Sequence, residues 1–295
     1  MGHMGLISDA TALMMQAGAK RSARFSDALY FAGTDDLDEP DSWRIPTRHG
    51  YVRCEVYRPP GVRRPAIYVH FHGGAFMMRF PRMDDFFARF LVAEAGVAVV
   101  NVDYDVAPRH RFPIAHEECH DVVQWLSQHA ADGDLDGSRM AVGGFSAGGN
   151  LAASVCLQAR DAGTPMPRLQ LLGVPTLDVS RSIKPAMVEN PLIGPGILRL
   201  AHSTYFKDES CRTDPYASPL LSDDMHGLPP AMVLTAEWDA LRPEGDAYAG
   251  LLTAAGVPVM HRVVPDCDHY FLDGDRARAR SLLDLMAGQV AARVA

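Results

Sequence analysis

One stretch limits the architectures open to this chain more than any other: Arg139-Met-Ala-Val-Gly-Gly-Phe-Ser-Ala-Gly-Gly-Asn-Leu-Ala-Ala153, an apolar run, a tight glycine turn and then a string of small residues. Its centre, Gly144-Phe145-Ser146-Ala147-Gly148, fits Gly-X-Ser-X-Gly. A serine carried on a sharp strand-to-helix turn needs glycines two residues before and after it, because a Cβ at either place collides with neighbouring backbone. Such a turn lifts the Ser146 hydroxyl to the top of a sheet, with a helix N-terminus beneath it. Alone, five such common residues describe an ordinary strand-to-helix turn equally well. The surrounding chain decides between the two.

Short, almost wholly apolar runs at 66–71 and 97–102 have the composition of strands buried on both faces of a parallel sheet. Residues 82–95 between them read as a crossover helix, and 114–130 as a second helix leading to a strand at 140–143. Residues 169–174, 231–235 and 257–264 supply later strands, with helices near 244–255 and 276–292. Strand and helix alternate throughout, which implies a mostly parallel α/β sheet with helices on both faces. An outer strand pair is expected over 43–58, turning at His49-Gly50. Two segments stand apart. Leu6, Ala10, Leu13, Met14 and Ala17 recur at helical spacing and give the N-terminal segment an apolar stripe expected to lie on the rest of the protein. An acidic linker, 35–41, follows it, and 180–218, rich in Pro and Gly with one helix expected over 197–206, reads as an insertion above the sheet. The expected organisation is a core over 42–295 containing the 180–218 insertion, preceded by a segment over 5–41; Met1-Gly2-His3-Met4 reads as an expression-vector remnant.

The net charge of -8 argues against a general nucleic-acid binder. No uninterrupted apolar run is long enough to span a bilayer. The five cysteines, 54, 119, 156, 211 and 267, are scattered without metal-ligand spacing, so neither a disulfide framework nor a metal site is expected. A reducing, cytoplasmic setting follows from that usage, and the sequence is compatible with a homodimer.

Ligands of open parallel sheets bind at the carboxyl ends of the strands. After the strand ending at Phe71 comes His72-Gly73-Gly74, two glycines whose N–H groups can turn inward. After 235 comes Asp239, placed to accept from a histidine ring or simply to cap a turn. After 264 comes His269, a candidate general base. Serine, then aspartate, then histidine, each after a different strand, is the chain order of an α/β-hydrolase.

With those residues in place, the chain resembles the hormone-sensitive-lipase-like family of carboxylesterases, with their HGGG loop and GDSAGG elbow. The resemblance covers most of residues 66–272 and rests on His72-Gly-Gly-Ala-Phe76, Tyr104-Asp-Val-Ala-Pro108, Phe112-Pro113, Gly144-Phe-Ser-Ala-Gly-Gly-Asn-Leu151, Asp214-Pro-Tyr-Ala-Ser-Pro-Leu220, Gly227-Leu-Pro-Pro230, Asp239-Ala-Leu-Arg242 and His269-Tyr-Phe271. It implies Ser146 as nucleophile, His269 as base, Asp239 as its orienter, and the N–H groups of Gly73, Gly74 and Ala147 as an oxyanion hole, with no metal or organic cofactor. It also implies a helical cap formed by the N-terminal segment and the 180–218 insertion. The expected substrate is a small ester with a short to medium acyl chain, held in a pocket drawing on Phe76, Met77, Met187, Phe206 and Tyr270. Four departures from the family pattern stand out: Ala75 for the third glycine, Phe145 for the usual Asp, Asp105 and Arg109 as a swapped ion pair, and Tyr270 for a glycine. An amidase, formamidase or lactonase using the same residues, an acyltransferase, and a non-catalytic receptor on this scaffold are the competing readings.

Overall fold

The computed structural model describes residues 2–295 apart from 23–28, 32, 35, 36, 186 and 187, with backbone alone for 2–6 and 18–22. Side-chain expectations at Leu6, Asp35 and Asp36 lie outside the described residues. In chain order the elements are α1 (Gly2–Ser22), β1 (Asp41–Thr47), β2 (Gly50–Tyr57), β3 (Ala66–Phe71), α2 (Asp85–Ala95), β4 (Ala98–Asp103), α3 (Ile114–His129), β5 (Asp136–Phe145), α4 (Ala147–Ala162), β6 (Gln170–Gly173), α5 (Pro195–Thr204), β7 (Ala231–Ala236), α6 (Arg242–Ala254), β8 (Val259–Val264) and α7 (Arg276–Val294). The eight strands form one sheet in the order β1-β2-β4-β3-β5-β6-β7-β8. The β1–β2 hairpin and the β2–β4 pair are antiparallel, and every later pair is parallel. This is the mostly parallel α/β sheet that the alternation of runs predicts.

Period-two alternation splits each central strand between two cores. Ile67, Val69 and Phe71 of β3 join one apolar cluster with residues of α3, α4 and α6, while Ala66 and Tyr68 join another with residues of α2 and α7. All six β3 residues are buried, and each such Val, Ile or Phe contributes roughly 1.5–3 kcal/mol relative to exposure. The sheet is thereby a rigid platform, and the loops that follow β3, β5, β7 and β8 all leave it at the carboxyl ends of its parallel strands.

The N-terminal helix does not lie as its periodicity predicts. Ala10, Leu13, Met14 and Ala17 face outward, with Met14 76% exposed, and Ala12 is the residue buried beneath. Polar contacts hold α1 instead. Gln16 Nε2 donates to the carbonyls of Met77 and Ala107, and Arg111 pairs with Asp9 at 3.0 Å. Hydrogen bonds to fixed carbonyls over the β3 and β4 loops outweigh the stripe in setting which side turns inward. The helix α1 also packs on α5 of the inserted segment. Among the described residues no helix is long and apolar enough to cross a membrane.

Candidate active site

β5 delivers Ser146 in a left-handed backbone, φ 57 and ψ -115. Holding a residue with a Cβ there costs about 1–3 kcal/mol and persists only where the surroundings over-determine it. They do so here. The Ser146 N–H donates to the Gly173 carbonyl at 2.8 Å, and its carbonyl accepts from the N–H groups of Asn150 and Thr176. A Cβ on Gly144 or on Gly148 would overlap the Phe71 carbonyl oxygen. Gly148→Ala is therefore expected to cost about 3 kcal/mol or more in urea unfolding. By contrast, Gly288→Ala, in open space on α7, should add about 0.5–1 kcal/mol. Beneath the turn, the Phe145 ring packs on Phe87 at 5.0 Å, His70 at 5.7 Å and Phe271 at 5.9 Å. Shape supports the elbow where the family pattern has a polar contact.

The loop after β3 lies against the elbow, with Gly73 so placed that a Cβ on it would stand 3.2 Å from the Phe145 carbonyl oxygen and 3.7 Å from Ser146 Cβ. Its peptides are aimed by two hydrogen bonds. Tyr104 Oη donates to the His72 carbonyl at 2.7 Å, and His72 Nδ1 donates to the Gly73 carbonyl at 2.7 Å. In a trans peptide the N–H points opposite to the C=O, so fixing these carbonyls fixes the directions of the Gly73 and Gly74 N–H groups. Neither N–H has a hydrogen-bond partner among the described residues. Burial lowers the His72 pKa to about 4, which keeps the ring neutral, and its stacking on Tyr104 at 4.2 Å fixes its plane. The Ala147 N–H, first in α4, has no intrahelical acceptor. Tyr104→Phe should lower kcat about tenfold through a less well aimed pair of donors. It should also cost about 1–3 kcal/mol by leaving a buried carbonyl unpaired; steady-state kinetics and urea unfolding read the two effects.

Ala75 and Phe76 follow with φ 53 and 59. Alanine is thus accommodated in place of the third glycine, in a backbone that costs an L-residue about 1–2 kcal/mol.

Asp239 is fully buried after β7, and its two oxygens are divided. Oδ1 accepts the Leu241 N–H at 3.0 Å, a turn cap, and Oδ2 accepts from His269 Nδ1 at 2.8 Å. The two uses that the sequence poses as alternatives occur together. The β7 and β8 loops are joined beside this pair, Glu237 N–H to the Val264 carbonyl and Trp238 N–H to the Cys267 carbonyl, each at 2.9 Å. His269 is 4% exposed. With Nδ1 committed to Asp239, Nε2 is the nitrogen left to accept a proton. Neither Nε2 nor Ser146 Oγ is hydrogen-bonded among the described residues.

A cavity of about 40 Å³ opens on Ser146, lined by Ala75, Phe76, Thr176, Val179, Arg181, Lys184, Ile193, Ile197, Leu198, Ala201, His202, Phe206 and Leu241. Phe76 and Phe206 are part of this lining. Met77 is not: it is fully buried in the apolar core. Tyr270 is 53% exposed beside His269 and also absent from it, and Met187 lies outside the described residues. Phe76 and Met77 belong to the same apolar core, and of the two it is Phe76, in the left-handed region, that reaches the cavity wall. A larger cavity of about 480 Å³, lined by Arg48, His116, His120 and Tyr216 among others, includes none of Ser146, Asp239 and His269.

Asp105 is not paired with Arg109. Its partners are Arg79 at 2.9 Å and His110 at 3.3 Å, because Arg79 approaches from the β3 loop and also reaches Asp103. Four contributors escape the sequence reading. Tyr104 and His72 are visible only as motif letters, with no sign of their carbonyl partners. Asn150 accepts from His116 Nε2 and donates to the carbonyls of Thr176 and Ala217, tying α4 to the loop after β6. Lys184 is buried against Glu244, whose other oxygen accepts the N–H groups of Leu177 and Asp178. A lysine in a Pro-rich insertion gives no sequence signal of a buried partner sixty residues away.

A strained Gly-X-Ser-X-Gly serine at the carboxyl edge of a parallel sheet, flanked by a diglycine loop and an Asp–His pair, defines an α/β-hydrolase. A family profile described as alpha/beta hydrolase fold matches residues 68–273. The carboxylic ester hydrolase LipN of Mycobacterium tuberculosis is 37% identical over 242 residues, which are 78% of this chain and 63% of LipN. An ethyl acetate hydrolase of Pseudomonas putida is 33% identical over 86% of this chain and 82% of its own. The solved structure of EstE1, a thermostable carboxylesterase from a metagenomic library, superposes with a TM-score of 0.89 at 29% identity, covering 96% of this chain and 98% of EstE1. The chain belongs to the hormone-sensitive-lipase-like family of α/β-hydrolases and is a carboxylic ester hydrolase.

Proposed function

We propose that the chain hydrolyses small esters with short acyl groups through an acyl-enzyme formed on Ser146. The observation that supports this reading is the buried Asp239–His269 hydrogen bond, which leaves Nε2 as the ring nitrogen free to accept a proton. Ser146 Oγ attacks the ester carbonyl carbon while His269 Nε2 takes its proton, and the Gly73, Gly74 and Ala147 N–H groups receive the oxyanion. Collapse expels the alcohol, protonated by His269. Water, deprotonated by the same nitrogen, then attacks the acyl-enzyme and releases the acid and Ser146.

The acyl limit follows from space. The cavity on Ser146 is small, about 40 Å³, and its walls are mostly apolar. So small an apolar space favours acetate to butyrate esters over octanoyl ones. The name of the Pseudomonas putida relative, ethyl acetate hydrolase, is in keeping with this. Across p-nitrophenyl esters of increasing acyl length, kcat/KM is expected to peak at or below butyrate and fall about tenfold or more by octanoate. A peak at octanoate, or faster cleavage of matched anilides or lactones, would reject the substrate assignment.

In this reading α1 and residues 180–218 form the cap, the protein works in the cytoplasm, and two copies pair through β8. That strand is one of the two edges of the sheet, with residues 260–262 exposed, and unpaired edge backbone is a template for a second strand. Sedimentation equilibrium reads the dimer directly.

A further inference from the structure

Asp268 lies between the two parts of the site and takes no part in the chemistry above. Its Oδ1 accepts the His269 backbone N–H at 2.7 Å, and its Oδ2 accepts the Leu192 backbone N–H at 2.8 Å. Leu192 belongs to the stretch between β6 and α5, and its neighbour Ile193 lines the cavity on Ser146. Among the described residues, 181–193 reach the rest of the chain by hydrogen bond or ion pair at one other point, where Lys184 meets Thr176 and Glu244. The Leu192 contact is therefore the one that fixes the Ile193 end of the wall.

We propose that Asp268 is a positioning residue of the ester hydrolysis, a single carboxylate that registers the cavity wall against the backbone of His269. The proposal rests on His269 being the general base. Hydrogen bonds to an ionised acceptor are about twice as strong as neutral ones, so both attachments are firm while Asp268 is charged. Its two bonds run to different segments, and the acyl-size limit and the placement of the base are consequently set together. A displacement of 1 Å at a catalytic group can cost about 100-fold in rate, so a looser His269 is read in kcat, whereas a looser wall is read in acyl selectivity.

The full chain carrying Asp268→Ala, Leu192→Pro or Leu192→Ala separates the two bonds. Leu192→Pro deletes the N–H that Asp268 holds and leaves the His269 bond; Leu192→Ala keeps that N–H. For Asp268→Ala, kcat on p-nitrophenyl acetate should fall about tenfold, and the preference for acetate over octanoate should shrink about fivefold. Leu192→Pro should show the same loss of preference with kcat on acetate within about twofold of the parent, and Leu192→Ala should match the parent in both. Should Asp268→Ala not fold, Asp268→Asn, which keeps one acceptor oxygen, and Leu192→Pro carry the test by the same readouts. Variants that lose only thermal stability, with kcat and acyl preference unchanged, overturn the proposal. His269→Gln keeps the two readings apart: turnover surviving in it overturns the base assignment, whereas an inactive His269→Gln beside an unaltered Asp268→Ala overturns the positioning role alone.

Discussion

Ser146→Ala should lower kcat for short-chain p-nitrophenyl esters by about a million-fold, with the folded state retained. The size of the effect follows from covalent catalysis: without Oγ no acyl-enzyme forms, and His269 has only water to activate. The residual rate above the uncatalysed reaction, about a thousand-fold, is expected from the oxyanion donors and binding alone. The backbone at 146 is left-handed whichever side chain it carries, so alanine adopts the same turn and the loss is chemical. Purified Ser146→Ala within tenfold of the parent would end the assignment. A fluorophosphonate should label the parent at one site and fail to label this variant.

Asp239→Asn should cost less, about ten-thousand-fold in kcat. Oδ2 holds the His269 Nδ1 proton at 2.8 Å, and that proton selects the tautomer with a basic Nε2. An amide nitrogen in its place donates, favours the other tautomer and leaves Nε2 protonated. The Leu241 N–H still needs an acceptor. If the amide oxygen turns to His269 and leaves that N–H buried and unpaired, the fold loses about 1–3 kcal/mol instead. Measuring kcat together with urea stability separates the two orientations; a variant unaffected in both would show that Asp239 neither orients the ring nor caps the turn.

Much of this architecture is legible without coordinates because strong local rules agree. The strands β3, β4 and β7 are buried on both faces, and such strands read as continuous apolar runs. The elbow is legible because only glycine fits beside the Phe71 carbonyl. What escapes has no local signature. The stripe Ala10, Leu13, Met14 and Ala17 predicts the wrong inward face because the direction of α1 is set by distant partners, the Met77 and Ala107 carbonyls that Gln16 reaches and the Arg111 that Asp9 pairs with. Met77 reads as a pocket residue from its neighbours, but two consecutive positive-φ residues rotate the chain before it, and no composition rule anticipates that at Ala75 and Phe76. The division of Asp239 between a turn and a ring is also invisible, since a carboxylate in sequence does not declare how its oxygens are shared.

Phe76 is the next residue but one after Gly73-Gly74, lines the cavity, and stacks on Tyr205 at 4.9 Å and His116 at 5.7 Å. Its carbonyl also accepts the Ala107 N–H at 2.9 Å. Anyone enlarging the cavity to admit bulkier acids will find this ring a poor place to cut. Trimming it releases the rear anchor of the turn that presents the amide hydrogens, and turnover falls along with selectivity. Ile197 and Leu198, carried on α5 and bonded to nothing in that turn, are the walls that can be reshaped without disturbing the electrostatics.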